Sequence, residues 1–339
     1  MDFFERISAS NDPYIIAEAA DAHYGSMDRA ISMVDLALDA RVDAIKFQHH
    51  IPEEEMLRDI PKSKNMIEPL YDFLVKNALS ISQHQEIFSY CQENDIEYLC
   101  TPFSLAAAIE LEEKIGLPAY KIGSGELTDL PTLEKIATFG KPMIVSTGMS
   151  LESEIKNTYD FLISRHVKLI LMNCTSAYPP KYSDLNLGYI KNMKDIFPEA
   201  IIGHSDHTNG IHSSIIAMAF GAKVIEKHIT VDEGLQGPDS SVSITQLQLK
   251  ELVSISKHIN EAIQANKKIN ESEIEIIAWA RRSLVYLNSF KKDHVIKPTD
   301  IWGKRPGTGV PSSNYWNFVG KKLTKDVSKN SLLSFEDFK

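Results

Sequence analysis

Lys46 and Lys121 sit where a lysine is costly. Lys46 lies in Ala44-Ile45-Lys46-Phe47-Gln48 and Lys121 in Ala119-Tyr120-Lys121-Ile122, short apolar runs that cannot bury an ammonium group without a partner. Turns rich in Gly, Ser and Thr accompany these runs and offer hydroxyls and free backbone N–H groups, so the pair reads as a pocket for a phosphate and a carboxylate. Two alternatives stand beside that reading: each lysine is paired with a core carboxylate, or one is a Schiff-base nucleophile. His207 and His228 fall at equivalent points of two successive runs. Two imidazoles near Glu or Asp can hold a divalent metal and leave positions open for water and substrate; the alternative is two hydrogen-bonded core histidines. His204 is a rival ligand, and His49-His50 reads as a solvated loop. Glu18, Glu126 and Asp239 are candidate acid/base or hydroxyl-binding groups, Asp239 in a long loop of the kind that is often functional.

The elements that must position these residues are eight short β-rich runs. They are Tyr14–Glu18, Ala44–Gln48, Ile96–Thr101, Ala119–Ile122, Met143–Ser146, Leu169–Asn173, Ala200–Gly203 and Val224–His228. Amphipathic stretches with apolar residues three and four apart lie between most of them, among them Met27–Leu38, Leu105–Ile115, Leu151–Ile163 and Ile211–Ala219. Strand–helix alternation implies parallel strands with crossovers, and eight repeats in about 250 residues suit a (β/α)8 TIM barrel. A doubly wound sheet competes less well, since no Gly-x-Gly-x-x-Gly turn follows the first run. In such a barrel the chemistry lies at the C-terminal strand ends, where polar residues of this chain collect. They are Glu18, Lys46, Gln48, Thr101, Ser104, Lys121, Ser124, Glu126, Ser146, Ser176, Tyr178, Ser205, His207, Glu226 and His228. A helix from Thr245 to about Ala265 would complete the barrel domain, 1–265. A linker over 266–280 and a small β-rich domain over 281–339 would follow.

Composition narrows the function. With 36 basic against 46 acidic residues and a net charge of -10, a general nucleic-acid or anionic-membrane binder is disfavoured. Cys91, Cys100 and Cys174 show no metal-type spacing and suit a reducing compartment. The charged start Met1-Asp2-Phe3-Phe4-Glu5-Arg6 and the lack of a long apolar run point to a cytoplasmic protein.

Read in order, a set of stretches resembles the sialic acid (N-acetylneuraminate) synthase family, which includes legionaminic and pseudaminic acid synthases. They are Ile16-Ala17-Glu18, Lys46-Phe47-Gln48, Thr101-Pro102-Phe103-Ser104, Lys121-Ile122-Gly123-Ser124-Gly125-Glu126, Ser146-Thr147-Gly148-Met149, Ser205-Asp206-His207-Thr208, Ile225-Glu226-Lys227-His228 and Gly237-Pro238-Asp239. The tail, through Arg281-Arg282-Ser283-Leu284 and Lys304-Arg305-Pro306-Gly307-Thr308-Gly309, is similar to the antifreeze-like (SAF) domain that ends these enzymes. The resemblance implies condensation of phosphoenolpyruvate with an open-chain N-acyl hexosamine such as N-acetylmannosamine, with phosphate released by C–O cleavage. It implies that His207 and His228 bind a divalent metal, typically Mn2+, with Mg2+ or Co2+ as alternatives. Lys46, Lys121, Ser124, Ser146, Ser176 and Ser205 would grip phosphoenolpyruvate, with Thr101 beside them among the substrate-binding residues. Glu18, Gln48, Tyr178 and Asp239 would hold the sugar. Arg305 would reach over the barrel mouth of a second subunit, making a swapped homodimer. Glu126 is the candidate for taking a proton from the water that adds to the substrate.

The chain departs from the family pattern at Ala22-His23-Tyr24-Gly25, commonly Asn-His-Asn-Gly, at His49, commonly Thr, at Ser240, often His, and at Ser176, Asn in some relatives. These lie near the expected sugar side and bear on which acceptor is used. A Schiff-base barrel aldolase and an inactive carbohydrate-binding relative are the competing functions.

Overall fold

The computed structural model describes residues 1–60, 66, 68–232, 234 and 237–339. It divides into two compact units, Met1–Gln264 and Ala265–Lys339.

In the first unit, eight parallel strands close into a barrel in chain order. They are β1 Tyr14–Glu18, β2 Ala44–His49, β3 Glu97–Pro102, β4 Tyr120–Ile122, β5 Met143–Ser146, β6 Leu169–Cys174, β7 Ile201–Asp206 and β8 Val224–His228. Every strand is buried on both faces, one turned into the barrel and one toward the helices, which is why the runs read as apolar rather than alternating. Side chains alternate along a strand, so each one contributes a short inward column. The lower inward positions are apolar: Ile16, Ala44, Leu99, Ala119, Ile144, Ile170, Met172 and Val224 form one cluster, closed at the N-terminal end by Phe3 and Ile7 of the helix Phe3–Ala9. Two residues further along, the same columns present Glu18, Lys46, Thr101, Lys121, Ser146, Cys174 and Glu226. The alternation that fills the barrel floor with hydrocarbon therefore delivers its polar ceiling.

The outward positions pack against the helix layer in a second, larger cluster that includes Ile15, Ala17, Ile45, Phe47, Cys100, Tyr120 and Ile225. Several crossover helices start where the sequence supplies a cap. Ser26 caps Met27–Ala40, Ser80 forms a capping box on Ile81–Glu93, and Ser104 accepts from the Ala107 N–H at the start of Leu105–Lys114. Ser104, expected at the mouth, thus serves as a helix cap. The long helix expected from Thr245 is two helices, Gln246–Ser256 and Ile259–Ala262, separated at Lys257-His258.

In the second unit, Glu271–Ala280 is a helix inside the span expected as linker. The strands β9 Ser283–Tyr286 and β10 Ile301–Lys304 pair antiparallel. Leu284, Tyr286, Ile296, Ile301, Val310, Phe318, Leu323, Val327 and Leu333 make its own core, and the Tyr286 hydroxyl donates to Asp337 at 2.9 Å. Among the described residues no helix is long and apolar enough to cross a membrane.

Candidate active site

At the C-terminal ends of the strands lies a cavity of about 580 Å3 lined by Glu18, Lys46, Gln48, Thr101, Lys121, Ser124, Glu126, Ser146, Ser176, Tyr178, Ser205, His207 and His228, with Glu226 and Cys174 among them. Parallel pairing explains the gathering: Glu18 stands level with Lys46 on β2 and with His228 on β8, Ser205 level with Glu226, and Gln48 level with Thr101.

Both lysines meet carboxylates. The Lys46 ammonium is 2.5 Å from Oε2 of Glu18 and 3.6 Å from Oε2 of Glu226, and Lys121 is 3.6 Å from Oε1 of Glu226. Glu226 also accepts from the Ser205 hydroxyl at 2.9 Å. Burial opposes its charge, but Lys121 and Lys46 outweigh that and hold it at about 2. Burial raises Glu18 above the ordinary carboxyl range against the pull of Lys46. Lys46 is raised, because Glu18 and Glu226 outweigh its burial; Lys121 is lowered, because burial outweighs Glu226. Lys46 also reaches Thr101 Oγ1 at 3.1 Å, and Lys121 reaches Ser146 Oγ at 2.7 Å. The two lysines and two carboxylates balance in formal charge and form one buried cluster.

Beside Lys121 is a group of small donors. The Gly148 N–H donates to Ser124 Oγ at 3.1 Å. A Cβ on Gly148 would lie 2.2 Å from Ser176 Oγ and 2.8 Å from Ser124 Oγ; glycine is what lets the two hydroxyls approach one another here. Gly123 plays the same part for Glu126, whose Oε2 would be 2.3 Å from a Cβ at that position. That oxygen is buried with no hydrogen-bond partner, and burial raises the carboxyl above its ordinary range. A carboxyl of this kind is suited to accepting a proton.

Cys174 Sγ, 3.6 Å from Ser124 Oγ and 3.8 Å from His207 Nδ1, joins this group to His207 and His228, whose ring centroids are 5.3 Å apart. His207 Nδ1 lies 3.0 Å from the Thr175 carbonyl, which only accepts, so Nδ1 carries a proton and Nε2, 3.3 Å from the Tyr178 hydroxyl, is the nitrogen left to face a cation. Burial, helped by His207, keeps His228 far below the ordinary imidazole range and hence neutral. Burial lowers His207, but Cys174 and the Thr175 carbonyl outweigh it and raise the ring above the ordinary imidazole range, so a cation at Nε2 would displace a proton there. With that proton gone, the two imidazoles facing one cavity fit a divalent cation's need for nitrogen donors. No group of three His, Cys, Asp or Glu able to hold a cation occurs among the described residues, so water and substrate would fill the remaining positions. Asp239 Oδ2 is 3.8 Å from His228 Nδ1. Asp239 lines a small adjoining cleft with Asp21 and Tyr24, and burial, with Asp21 and Glu18 nearby, raises it to about 7.

Some expectations change. His204 is outward-facing on β7, its Nδ1 3.0 Å from the Asn173 carbonyl, so it is no rival to His207. His49 belongs to β2, and both His49 and His50 are buried, bonded to Glu110 and Glu55; the reading of a solvated loop is wrong, because the polar residues here have partners on neighbouring elements. Glu226 appeared among the strand-end residues without a role, although it joins both lysines; the demand of two buried ammonium groups for a carboxylate was the available signal. Arg305 lies in the second unit, where its Nε donates to the Ala280 carbonyl at 3.2 Å and its guanidinium stands 5.3 Å from the Trp279 ring centroid.

Residues 33–268 match the model of the NeuB family. The chain is 34% identical over 329 residues to an N,N'-diacetyllegionaminic acid synthase of Campylobacter jejuni, covering 94% of this chain and 98% of that one. It is 32% identical over 335 residues to a protein of the same name from Legionella pneumophila, covering 95% and 94%. A crystal structure of an N-acetylneuraminic acid synthetase from Leptospira borgpetersenii superposes with a TM-score of 0.71 at 32% identity, over 79% of this chain and 90% of that one. With that match covering most of the barrel, and with the strand-end residues converging on one cavity, the chain belongs to the NeuB family.

Proposed function

We propose that this protein is a nonulosonate synthase that condenses phosphoenolpyruvate with an open-chain N-acyl hexosamine and releases phosphate. The observation that carries the reading is the single cavity lined by Lys46, Lys121, Ser124, Ser146, Ser176 and Ser205 together with Glu18, Gln48, Tyr178 and Glu126. The relatives' names support it.

In this reading the hydroxyls and Lys121 bind the phosphate and carboxylate of phosphoenolpyruvate, and Glu18, Gln48, Tyr178 and Asp239 bind the sugar. C3 of phosphoenolpyruvate attacks the aldehyde carbon and the aldehyde oxygen gains a proton. A water adds to the C2 cation and gives its proton to Oε2 of Glu126. The tetrahedral C2 then expels phosphate with cleavage of the C–O bond, the C2 hydroxyl giving its proton to the departing phosphate, which leaves the α-keto acid. Because Glu18 and Glu226 already match Lys46 and Lys121, the cluster has no surplus positive charge for an incoming anion. His207 and His228 would hold a divalent metal, Mn2+ by family resemblance, that supplies Lewis acidity toward the aldehyde oxygen. Arg305 would reach over the barrel of a second subunit in a swapped homodimer, as the antifreeze-like character of the C-terminal residues suggests. A Schiff-base aldolase fits less well at Lys46, which two carboxylates keep protonated, since an ammonium is no nucleophile; at Lys121, which burial lowers, it is the reading that borohydride trapping separates.

The test is phosphate release from phosphoenolpyruvate across a panel of hexosamines, with and without a chelator. Release with one sugar, abolished by chelator and reduced at least about a hundredfold in His207→Ala and His228→Ala, is expected. Release that survives the chelator and both substitutions would remove the metal from the account. Trapping of the protein on phosphoenolpyruvate or sugar by borohydride would favour the aldolase.

A further inference from the structure

His50 has no part in the steps above, yet both its ring nitrogens are bonded. It follows β2 directly and is buried. Its ring stacks on Phe103 with centroids 4.4 Å apart and planes at 14°. Nδ1 is 2.7 Å from Oε2 of Glu55 and Nε2 is 3.1 Å from Oε1 of Gln48. Gln48 Nε2 in turn donates to Oε1 of Glu18 at 2.7 Å, and Oε2 of Glu18 meets the Lys46 ammonium. A continuous chain therefore runs from Glu55, at the end of the helix Pro52–Glu55, to the lysine–glutamate cluster at the centre of the cavity.

Counting protons gives the chain a direction. A carboxylate only accepts hydrogen bonds. Glu18, ion-paired to Lys46, needs the amide nitrogen of Gln48, and this turns the Gln48 carbonyl oxygen toward His50. That oxygen only accepts, so Nε2 of His50 must carry a proton; Glu55 only accepts, so Nδ1 must carry one too. Only the imidazolium donates from both nitrogens. A neutral ring would set a lone pair against an oxygen, and a flip of the Gln48 amide to relieve that would set its carbonyl oxygen against Glu18.

We infer that His50 is a positioning residue: held as an imidazolium by Glu55, it locks the Gln48 amide so that Gln48 offers its second N–H, and not its carbonyl oxygen, to an oxygen of the hexosamine. The substrate contact rests on the condensation proposed above; the lock rests on the hydrogen bonds alone. The charged surroundings agree. Asp21 after β1, with Oδ2 3.7 Å from Nε2, Glu55, and Glu126 after β4 all favour the cation and together outweigh burial. His23, His49 and His84 are the other titratable rings around it.

The experiment joins a spectrum to a kinetic comparison on the full-length protein. In nitrogen–proton spectra of histidine-labelled protein, His50, identified by its loss in His50→Phe, should carry protons on both ring nitrogens at about pH 8, where an unperturbed imidazole is neutral. A neutral tautomer there overturns the inference, whatever the enzyme's substrates. His50→Phe keeps the ring against Phe103 and removes both donors. It should raise the hexosamine KM about tenfold or more while the phosphoenolpyruvate KM changes less than about twofold, and His50→Gln, which regains one donor toward Gln48, should recover part of the loss. An unchanged hexosamine KM in folded His50→Phe, or equal rises in both KM values, overturns it. A wild-type protein that releases no phosphate with any hexosamine overturns the functional reading and the substrate contact with it, while the spectrum still decides the lock on Gln48.

Discussion

Glu226 is the carboxylate that answers both buried lysines of the cavity. It lies between Lys46 and Lys121, each 3.6 Å away, and is 4% exposed. Two ammonium groups in a space this dry are tolerable only while a carboxylate answers them, and removing one partner of such a cluster costs about 3–5 kcal/mol. Glu226→Gln is therefore expected to lower Tm markedly. Phosphoenolpyruvate, bringing fresh negative charge to Lys121, which Glu226 alone had answered while Lys46 keeps Glu18, should restore more of that loss in the variant than it adds to the wild type. Thermal melts of both proteins with and without phosphoenolpyruvate measure this; an unchanged Tm would show that the lysines do not depend on Glu226. The side chains legible in the sequence were those with a cost attached. Lys46 and Lys121 stood out because apolar runs do not carry ammonium groups freely; both line the cavity, and both are paired with carboxylates, which is one of the alternatives their burial required. Their partner was harder to see, because Glu226 is followed by Lys227, of opposite charge, and only the strand's alternation decides which of the two turns inward.

At the scale of elements, the barrel sorts charges by that alternation. Glu226 and His228 face the cavity, whereas Lys227 between them faces the helix layer, fully buried and 3.4 Å from Asp206. Asp206 also accepts from Ser213 at 2.5 Å, Ser214 at 2.6 Å and the Thr208 N–H at 2.7 Å. This outer network joins β7 to β8 at the residues immediately before His207 and His228, and so fixes the strand ends that present the two imidazoles. A second outer group is made of histidines. His49 in β2 lies against His84 of the helix Ile81–Glu93, with centroids 4.8 Å apart, and His84 bonds the Tyr98 hydroxyl at 2.7 Å. Burial lowers His23 and His49, and lowers His84 far below the ordinary imidazole range. The folded protein thus binds fewer protons at these sites than the unfolded chain. Their contribution is fully present above about pH 6.5, the unfolded value, and is lost as pH falls toward the folded values. Urea unfolding across that range should show stability falling with pH, with a shallower slope in His84→Gln; the same slope in both would discount the cluster. The strand runs were legible because β-branched and apolar residues crowd them, and Tyr14–Glu18, Met143–Ser146 and Val224–His228 need no adjustment of their bounds. His49-His50 was misread because adjacent histidines look solvent-bound until Glu110 and Glu55, on other elements, are brought beside them. The break at Lys257-His258 carries no glycine or proline to announce it.

For the whole molecule, the NeuB match over residues 33–268 ends close to the boundary between Gln264 and Ala265, so the barrel unit carries the family's signature and the cavity. The second unit has a separate core built on Tyr286 and Phe318. The chain's net charge of -10 gives an anionic substrate no long-range attraction; recognition falls to the donors inside the cavity. In the proposed condensation, C2 of phosphoenolpyruvate is the carbon from which phosphate leaves. Phosphoenolpyruvate labelled with oxygen-18 at the bridging C2–O–P position, incubated with the protein, a divalent metal and the hexosamine that supports turnover, tests it most directly. The label is expected to leave with inorganic phosphate, and a nine-carbon α-keto acid to appear in equal amount. Label retained in the organic product, or phosphate formed with no sugar consumed, would contradict it.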